Sequence, residues 1–375
     1  MFSVTEKERR HGAIQQVLKE EDLKAILLVG DAGNGSGFLG DYRYFTDNRT
    51  ITYREVLVLF HDIEPVLFTT TTRKLPEIKR RSFVGDCRFS DDLLDDAIKI
   101  LKEHGLSSGK IGISFEMLSV AWHRRLAEAF PAMEWVEVHE KLMQIRFNHS
   151  DEEAEVIRKG AELADGGYEA ALAAIRPGAS EFEVLAALEN FSRPRGAEDH
   201  FNQIGSGKYS FKDGTNITFY YPTQRRLEMG DSVLMEITPR YEGYWTQVVR
   251  AVNVGKENRD LEAIQKVCRG AITAGLTQFK PGKKVSDVVA AMEPYVTDCG
   301  YLLKPPFGHV SGIDLVEARV SPKNDMILTP GTSVTIHPTV FTRDERNWSF
   351  CGETYLVTHD GYERLNLAGD DLITV

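Results

Sequence analysis

The first 145 or so residues alternate short apolar runs with segments of helical periodicity. Apolar runs bounded by turn residues predict strands at Ala25–Gly30, Glu55–Phe60 and Val66–Thr70. Apolar positions spaced three and four residues apart predict helices at Leu93–His104 and Met117–Phe130. Strands and helices in alternation are typical of a small α/β domain.

A long helix is predicted directly after Ser150. Ser150 and Glu153, three residues further on, form the capping-box pattern that begins many helices and contributes about 1 kcal/mol. A chain of 375 residues exceeds the usual size of a single hydrophobic core. We therefore predict two domains, residues 1–146 and residues 147–375.

The second domain contains a degenerate internal repeat. A helix that ends at Pro177-Gly178 and is followed by an amphipathic helix is echoed 104 residues later at Pro281-Gly282. Similar Gly-x-Ser-Val segments precede Glu236 and His337. A repeat of this length is too long for a solenoid. We therefore predict two similar halves about a pseudo-twofold axis, with Glu236 and His337 facing each other.

Composition and charge narrow the class of partner. The chain is 42% hydrophobic and 27% charged, as in ordinary globular proteins. A formal net charge of -11 disfavours nucleic acid and anionic membranes as partners. The N-terminus lacks the apolar run of a signal peptide, and no stretch approaches the roughly 20 apolar residues of a membrane span. The 4 scattered cysteines form no CxxC pair and indicate free thiols, so we expect a cytoplasmic protein.

A glycine-rich segment, residues 35–40, matches the GxGxxG pattern and follows a predicted strand. A dinucleotide site also requires a helix that begins there and presents its N-terminal amides to pyrophosphate. Residues 41–46 are aromatic and β-prone rather than helical. We therefore interpret the segment as a loop and not as a nucleotide site.

The segment from Gly230 to Val254 predicts a hairpin that carries an unusual carboxylate. An apolar strand leads into a Pro-Arg-Tyr-Glu-Gly turn, and a second strand follows. Glu236 lies within the apolar strand, where an ionised carboxylate is costly without a partner. Glu236 is therefore either a functional group or the partner of Arg250 in a structural salt bridge, and the hairpin alone favours neither.

This hairpin resembles the pattern GD-x-V-x-x-D-x-G…GY-x-[ST]-D-x-x-R of the creatinase/aminopeptidase P/prolidase ("pita-bread") superfamily. Glu236 and Gln247 are eleven residues apart, like the two aspartates of that pattern. Residues 307–312 resemble the loop that supplies the family's histidine ligand, here His309. Residues 330–338 resemble the P-G-M-x-x-x-x-E-P strand, with His337 in place of glutamate, and residues 352–358 resemble the last ligand strand, E-[DT]-x-x-x-V-T, with Glu353 retained.

The resemblance implies an α/β (α+β) fold class. A small N-terminal creatinase-like α/β domain would precede a catalytic pita-bread domain with internal pseudo-twofold symmetry. Metallopeptidases of the superfamily hold two divalent ions with two Asp, one His and two Glu. A glutamine amide is a poor ligand for a hard dication, so Gln247 argues against a dinuclear site. The family's substrate-binding histidines correspond to Val316 and to Phe219 or Tyr220, which argues against a peptide substrate.

Two metal-independent relatives, creatinase and ectoine hydrolase, resemble the chain most in site character. We therefore predict hydrolysis of a C–N bond (amide, cyclic amidine or guanidino) in a small non-peptide metabolite, with no cofactor. In this hypothesis Glu236 is the nucleophile or base, and Glu353 can exchange roles with it because two carboxylates in one pocket share a proton. Glu353, or an imidazolium at His309 or His337, protonates the departing nitrogen, and Gln247 donates an amide N–H to the charge that develops on the attacked group.

Three other functions stay open at this point. The first is a metal-dependent Xaa-Pro peptidase-like enzyme with a variant or mononuclear site. Its single Zn²⁺, Fe²⁺ or Mn²⁺ would be held by His309, His337, Glu353 and Glu236. The second is a catalytically inactive pita-bread protein that binds a ligand or another protein. Because some members of the superfamily cleave C–S bonds, a lyase is a further alternative.

Substrate-binding residues are predicted by analogy. In creatinase-like dimers the segment that corresponds to Arg43 and Arg49 reaches the partner's active site and holds a substrate carboxylate. We therefore predict that Arg43, Arg49 and Tyr220 contact substrate. The resemblance also implies a homodimer that takes a small-molecule substrate, and the net charge predicts association with neither nucleic acid nor membrane.

Overall fold

The computed structural model describes residues 2–32, 40–50 and 53–375 of the chain. It divides into two compact units, Met1–Phe147 and Asn148–Val375. The division falls one residue after the predicted boundary. It directly precedes the long helix whose capping box suggested it.

The first unit is built on a six-stranded sheet of order β4-β3-β2-β1-β5-β6. Strand β1 is antiparallel to β2 and parallel to β5. Leu27, Val58 and Ile113 of this sheet form an apolar cluster with Leu94 and Leu101 of α4. The elements of this unit are α1 (Val4–Glu20), β1 (Leu23–Asp31), α2 (Gly40–Thr46), β2 (Arg54–Phe60), β3 (Val66–Thr69), α3 (Leu75–Arg81), β4 (Asp86–Phe89), α4 (Leu93–Glu103), β5 (Ser108–Ile113), α5 (Val120–Ala129), β6 (Ala132–Glu137) and α6 (His139–Phe147). The three predicted strands and both predicted helices of this region are confirmed.

One local prediction for the first unit is wrong. The aromatic segment after the glycine-rich motif forms helix α2, Gly40–Thr46, and not a β-prone loop. Every side chain of α2 is buried, and the hydroxyl of Tyr42 donates a hydrogen bond to Glu55 (2.8 Å). Burial of the whole helix outweighs the weak helix propensity of its aromatic residues. Residues 35–39 of the GxGxxG segment lie outside the described residues.

The second unit is built from two helix pairs and a nine-stranded sheet. The main path of that sheet is β15-β14-β16-β19-β12-β9-β8. The elements are α7 (Asp151–Ala174), α8 (Glu181–Ser192), β7 (Ala197–His200), β8 (Gln203–Gly207), β9 (Ser232–Ile237), β10 (Pro239–Tyr241), β11 (Tyr244–Trp245), β12 (Val248–Asn253), α9 (Arg259–Leu276), α10 (Val285–Asp298), β13 (Leu302–Lys304), β14 (Gly308–Val310), β15 (Ala318–Arg319), β16 (Ser333–Ile336), β17 (Thr339–Phe341), β18 (Trp348–Phe350), β19 (Gly352–Val357), β20 (Tyr362–Arg364) and β21 (Ile373–Thr374).

The helices begin and end where the sequence signals them. The capping box of Ser150 and Glu153 at the start of α7 is present in both directions, and Ser180 with Glu183 repeats it at α8. The glycines at 178 and 282, one after each Pro, have φ of 90° and 83°, a left-handed conformation that suits glycine between two helices. None of the described helices is long and apolar enough to cross a membrane.

The large sheet repeats one arrangement twice, as the internal repeat predicted. Strands β8, β9 and β12 form one half, and strands β14, β16 and β19 form the other. The halves meet where β12 pairs antiparallel with β19. Each half is preceded in the chain by one helix pair, α7 with α8 or α9 with α10.

The two faces of this sheet have different environments. Val233, Met235, Ile237 and Val248 pack with residues of α7 and α8 in one apolar cluster, so we call their side the helix-covered face. Glu236 alternates with Met235 and Ile237, and successive strand residues point to opposite faces. Its side chain therefore lies on the other side, which we call the Glu236 face.

Candidate active site

Four of the five predicted catalytic side chains share the Glu236 face. Glu236 lies in β9 and His309 in β14, whereas Gln247 directly precedes β12 and His337 directly follows β16. Glu236 pairs with Val249 in the sheet, and Gln247 is two residues from Val249 on the same side. His309 and His337 belong to the other half of the repeat. This face therefore carries candidate catalytic side chains from both halves.

A closed chain of hydrogen bonds links Gln247 to His309. His309 Nε2 lies 3.1 Å from Gln247 Oε1, and His309 Nδ1 lies 2.8 Å from Ser311 Oγ. Ser311 Oγ, Thr335 Oγ1 and Thr354 Oγ1 continue the chain at 3.3 and 3.2 Å. The Thr354 hydroxyl donates to the Gln247 carbonyl (3.1 Å) and accepts from its backbone N–H (2.9 Å). The chain therefore fixes both the backbone and the side chain of Gln247.

His337 lies between His309 and the aromatic side chain of Phe350. Its ring lies 5.3 Å from that of His309 and 5.8 Å from that of Phe350, measured between centroids. Phe350 in turn contacts Phe219 edge to face at 5.3 Å. His337 Nδ1 is buried and has no hydrogen-bond partner among the described residues. Unpaired buried polar atoms are rare and often mark binding or catalytic groups.

Glu236 is the acidic side chain that the sheet register places on this face. It is partly exposed between the fully buried side chains of Met235 and Ile237. Burial raises the pKa of its carboxyl from 4.5 to about 7, because a low-dielectric surrounding disfavours the charged form. No hydrogen bond or ion pair connects Glu236 to another of the described residues, so Arg250 is not its partner.

The two histidines are neutral near pH 7. Burial lowers the pKa of His337 to about 4. Burial, and then the repulsion that protonated His309 and His337 would exert on each other, hold the pKa of His309 well below its usual range. Burial therefore disfavours the imidazolium that was expected to protonate the leaving group, and that role of His309 or His337 stays a prediction.

Glu353 does not join this cluster, and that prediction is wrong. Glu353 pairs with Val248 in the sheet, and Val248 lies on the helix-covered face. There the carboxylate bonds Arg250 Nη2 (2.6 Å), Arg364 Nη2 (2.8 Å) and the Tyr355 hydroxyl (2.6 Å). Two arginines and a phenol satisfy it as a buried structural ion pair. The expected sharing of a proton between Glu236 and Glu353 therefore does not occur.

Gly352 takes the place on the Glu236 face that was assigned to Glu353. Gly352 pairs with Val249, which is also the partner of Glu236. The pattern E-[DT]-x-x-x-V-T, counted back from Val357-Thr358, places its glutamate at residue 352 and not at 353. A Cβ at Gly352 would collide with the backbone of Ile336 and with Cβ of His337. The chain has therefore lost this carboxylate as well as the space for one.

The donor set does not fit the dinuclear centre of the metallopeptidases. The five family positions carry Glu236, Gln247, His309, His337 and Gly352, which supply one carboxylate. Within the described ranges, no group of three or more His, Cys, Asp or Glu side chains is placed to hold a metal ion. The mononuclear site of four residues is not assembled either, because Glu353 faces the other way. A cavity of about 290 Å³ does adjoin Glu353, but it opens on the helix-covered side, between arginines 250, 269 and 364.

The predicted substrate-binding residues fall in different settings. Tyr220 is exposed and packs edge to face on Tyr221 at 5.0 Å. It is next to Phe219, whose ring contacts that of Phe350. Arg43 is buried in α2, 3.8 Å from Asp47, and Arg49 is exposed. Both arginines belong to the first unit, and their role in binding substrate, like the homodimer, stays a prediction.

Three hydroxyl residues of the cluster were missed by the sequence interpretation: Ser311, Thr335 and Thr354. A signal was available for two of them. Ser311 follows His309 by two residues, and Thr335 precedes His337 by two, a spacing that shares a face in an extended chain. Thr354 was hidden by the error of one residue in the placement of the last strand.

Comparison with known proteins agrees with this architecture. Residues 10–147 match the creatinase/prolidase N-terminal domain. Among curated proteins, creatinase of Bacillus sp. (strain B-0618) is 26% identical over 355 residues, which cover 90% of this chain and 84% of the relative. A putative dipeptidase of Bacillus subtilis (strain 168) is 27% identical over 278 residues, which cover 73% of this chain and 76% of the relative.

Solved structures share the fold. An Xaa-Pro dipeptidase from Bacillus anthracis superposes with a TM-score of 0.84 at 22% identity, covering 98% of this chain and 100% of the other. An X-Pro aminopeptidase from Thermotoga maritima MSB8 gives 0.84 at 20% identity, with coverage of 97% and 99%. These likenesses confirm the predicted fold class. Since residues 155–359, more than half of the chain, match metallopeptidase family M24, the protein belongs to that hydrolase family, within the creatinase/aminopeptidase P/prolidase superfamily.

Proposed function

We propose that the protein hydrolyses a C–N bond in a small non-peptide metabolite without a dinuclear metal centre. Glu236 is the proton-transferring group, and Gln247, His309 and His337 surround the reacting carbon. The names of the relatives fit both this function and a peptidase function, because they include a creatinase as well as peptidases.

One observation carries the proposal: five family positions on the Glu236 face supply a single carboxylate. Two hard divalent ions need several anionic oxygen ligands. A neutral amide at Gln247 and no side chain at Gly352 do not supply them. Imidazoles and a lone carboxyl with a pKa near 7 instead resemble a site for general acid–base chemistry.

Glu236 suits both halves of a hydrolytic step. Because its pKa is about 7, a large fraction is ionised at neutral pH and takes a proton from water as that water attacks the carbon. The protonated carboxyl then gives the same proton to the departing nitrogen. One O–H bond and the C–N bond break, and C–O and N–H bonds form. Neutral His309 and His337 contribute hydrogen bonds and no charge.

The test combines metal analysis with one substitution. Purified protein is expected to hold no stoichiometric divalent ion, and chelation should leave turnover of a panel of amides, lactams, cyclic amidines and guanidino compounds unchanged. Glu236→Gln should lower that turnover by about 10²–10⁴-fold, the usual contribution of general acid–base catalysis. Glu293→Gln, an exposed carboxylate on α10, is the matched control and should keep full turnover. A stoichiometric ion whose removal abolishes activity would contradict the proposal.

A second candidate is a metal-dependent, Xaa-Pro peptidase-like enzyme with a variant or mononuclear site. The names of the relatives and of the solved structures favour it, since most of them denote peptidases or dipeptidases. His309 and His337, with rings 5.3 Å apart, would be the ligands that such a site retains. Cleavage of an Xaa-Pro dipeptide on addition of Zn²⁺, Mn²⁺ or Fe²⁺, absent in His309→Asn, would establish this candidate and displace the first.

A further inference from the structure

The side-chain amide of Gln247 forms a hydrogen bond through its oxygen and none through its nitrogen within the described residues. Its Oε1 accepts from His309 Nε2 (3.1 Å), whereas its Nε2 is buried without a hydrogen-bond partner in the described part of the chain. Gln247 itself is 1% exposed. An amide nitrogen carries two N–H donors and no acceptor, so the unengaged half of this side chain can only donate.

The hydrogen bonds of His309 fit this orientation of the amide. Because Gln247 Oε1 can only accept, His309 Nε2 carries the proton of a neutral ring, and Nδ1 then accepts from the Ser311 hydroxyl. At the other end, both backbone groups of Gln247 are bonded to Thr354 Oγ1. In the opposite orientation the amide would present an unpaired acceptor, which would favour a substrate with N–H donors instead.

We infer that Gln247 is the specificity-determining residue of the site and selects substrates whose reacting group is an uncharged carbonyl: an amide, a lactam or a ureide. The inference rests on the proposed function and narrows its substrate class. A carbonyl oxygen accepts the N–H of Gln247, and its developing negative charge strengthens that bond in the transition state. An amidinium or guanidinium presents only N–H donors, which leaves the buried donor of Gln247 unpaired.

His337 supports the same selection. Its Nδ1 is also buried without a partner among the described residues, on the same face and in ring contact with His309. A neutral imidazole can carry its proton on Nδ1 and donate to the same oxygen. A site built to bond one polar group of a substrate rejects an analogue that lacks it far more strongly than an apolar pocket rejects a missing methylene.

An isosteric pair of probes tests the inference: 2-pyrrolidinone, a lactam, and 2-iminopyrrolidine, the amidine of the same size. Binding to the full chain is followed through the ring C–H resonances of isotope-labelled histidine, assigned with His309→Asn and His337→Asn. The lactam should bind at least about tenfold more tightly than the amidine, since one good hydrogen bond to a buried donor corresponds to a factor of this order.

Two variants make the outcome specific to Gln247. Gln247→Glu replaces the donor with an anionic acceptor and should reverse the preference toward the amidine. Gln247→Met keeps the length of the side chain and should abolish the preference without reversing it. Near-UV circular dichroism, which reports the buried Trp245 beside this segment, checks that each variant is folded.

Equal binding of the two probes, tighter binding of the amidine, or no response to either one by the wild-type chain would overturn the inference. These results differ from a failure of the proposed function, which is read from metal content and from the turnover of Glu236→Gln. An enzyme that is metal-independent and prefers the amidine would keep the proposed function and lose the selection by Gln247.

Discussion

The raised pKa of Glu236 makes the stability of the second unit depend on pH. Each pKa unit corresponds to about 1.4 kcal/mol, so a rise from 4.5 to about 7 makes ionisation cost about 3 kcal/mol more in the folded than in the unfolded state. Below pH 4.5 the carboxyl is protonated in both states and the cost is absent. Between pH 4.5 and 7 the unfolded chain ionises while the folded one resists, so stability is lost as pH rises. Above pH 7 the full loss is reached.

Glu236→Gln removes this cost and keeps the shape of the side chain. The variant should match the wild-type chain in free energy of unfolding near pH 4.5 and exceed it by about 3 kcal/mol at pH 8. The assay is urea unfolding followed by tryptophan fluorescence, with Trp122 and Trp135 of the first unit replaced by phenylalanine. The signal then comes from Trp245 and Trp348 of the second unit.

Glu293→Gln, on the exposed side of α10, is the control and should give a difference that does not grow between pH 4.5 and 8. A stability difference for Glu236→Gln that is flat with pH would refute the idea that the carboxyl is desolvated in the folded protein. A difference that shrinks as pH rises would mean that the folded protein stabilises the carboxylate instead.

Three further predictions follow from the same geometry. Glu353→Gln should lower the free energy of unfolding by about 3 kcal/mol at pH 7, because it leaves the buried guanidinium of Arg250 without its anionic partner; a loss below about 0.5 kcal/mol, the range of exposed pairs, would contradict the structural role. Gly352→Ala should cost about 1–3 kcal/mol in the same urea assay, since its Cβ meets Cβ of His337 and neighbouring backbone, and an unchanged midpoint would show that the two strands are further apart. Turnover (kcat/KM) should rise with pH through about 7 as Glu236 ionises, and a rate that falls over that range would assign the residue as an acid in the free enzyme.

Local patterns were sufficient for much of the fold. Alternation of apolar runs and helical periodicity located β1, β2 and β3, and the pair Ser150 and Glu153 located the start of α7. These features depend on the chemistry of a few neighbouring residues, which the sequence contains directly. Helix α2 shows the limit of such reasoning, because complete burial stabilises a helix in a segment whose aromatic residues favour strands.

The candidate site, like the fold, could be predicted from the sequence only in part. The family resemblance carried by the spacing of Glu236 and Gln247 and by the segment around His309 predicted that these side chains share a site with His337. Their hydrogen bonds were not predictable, because Thr335 in β16, Thr354 in β19 and Ser311, directly after β14, come together only in the assembled sheet. The protonation states also required burial, which lowers the pKa of His337 to about 4.

The sequence alone determined the order of elements, the two similar halves and the identity of the side chains available for chemistry. Only the tertiary structure decided which of two adjacent residues, Gly352 or Glu353, belongs to the site. Side chains in a strand alternate between faces, so an error of one residue moves a carboxylate through the sheet. Here the two residues have different surroundings: Gly352 lies against His337, whereas Glu353, one residue further on, is paired with Arg250 and Arg364 on the opposite face. Register is a property of the assembled sheet, and it leaves Glu236 as the one carboxylate among the five family positions on this face.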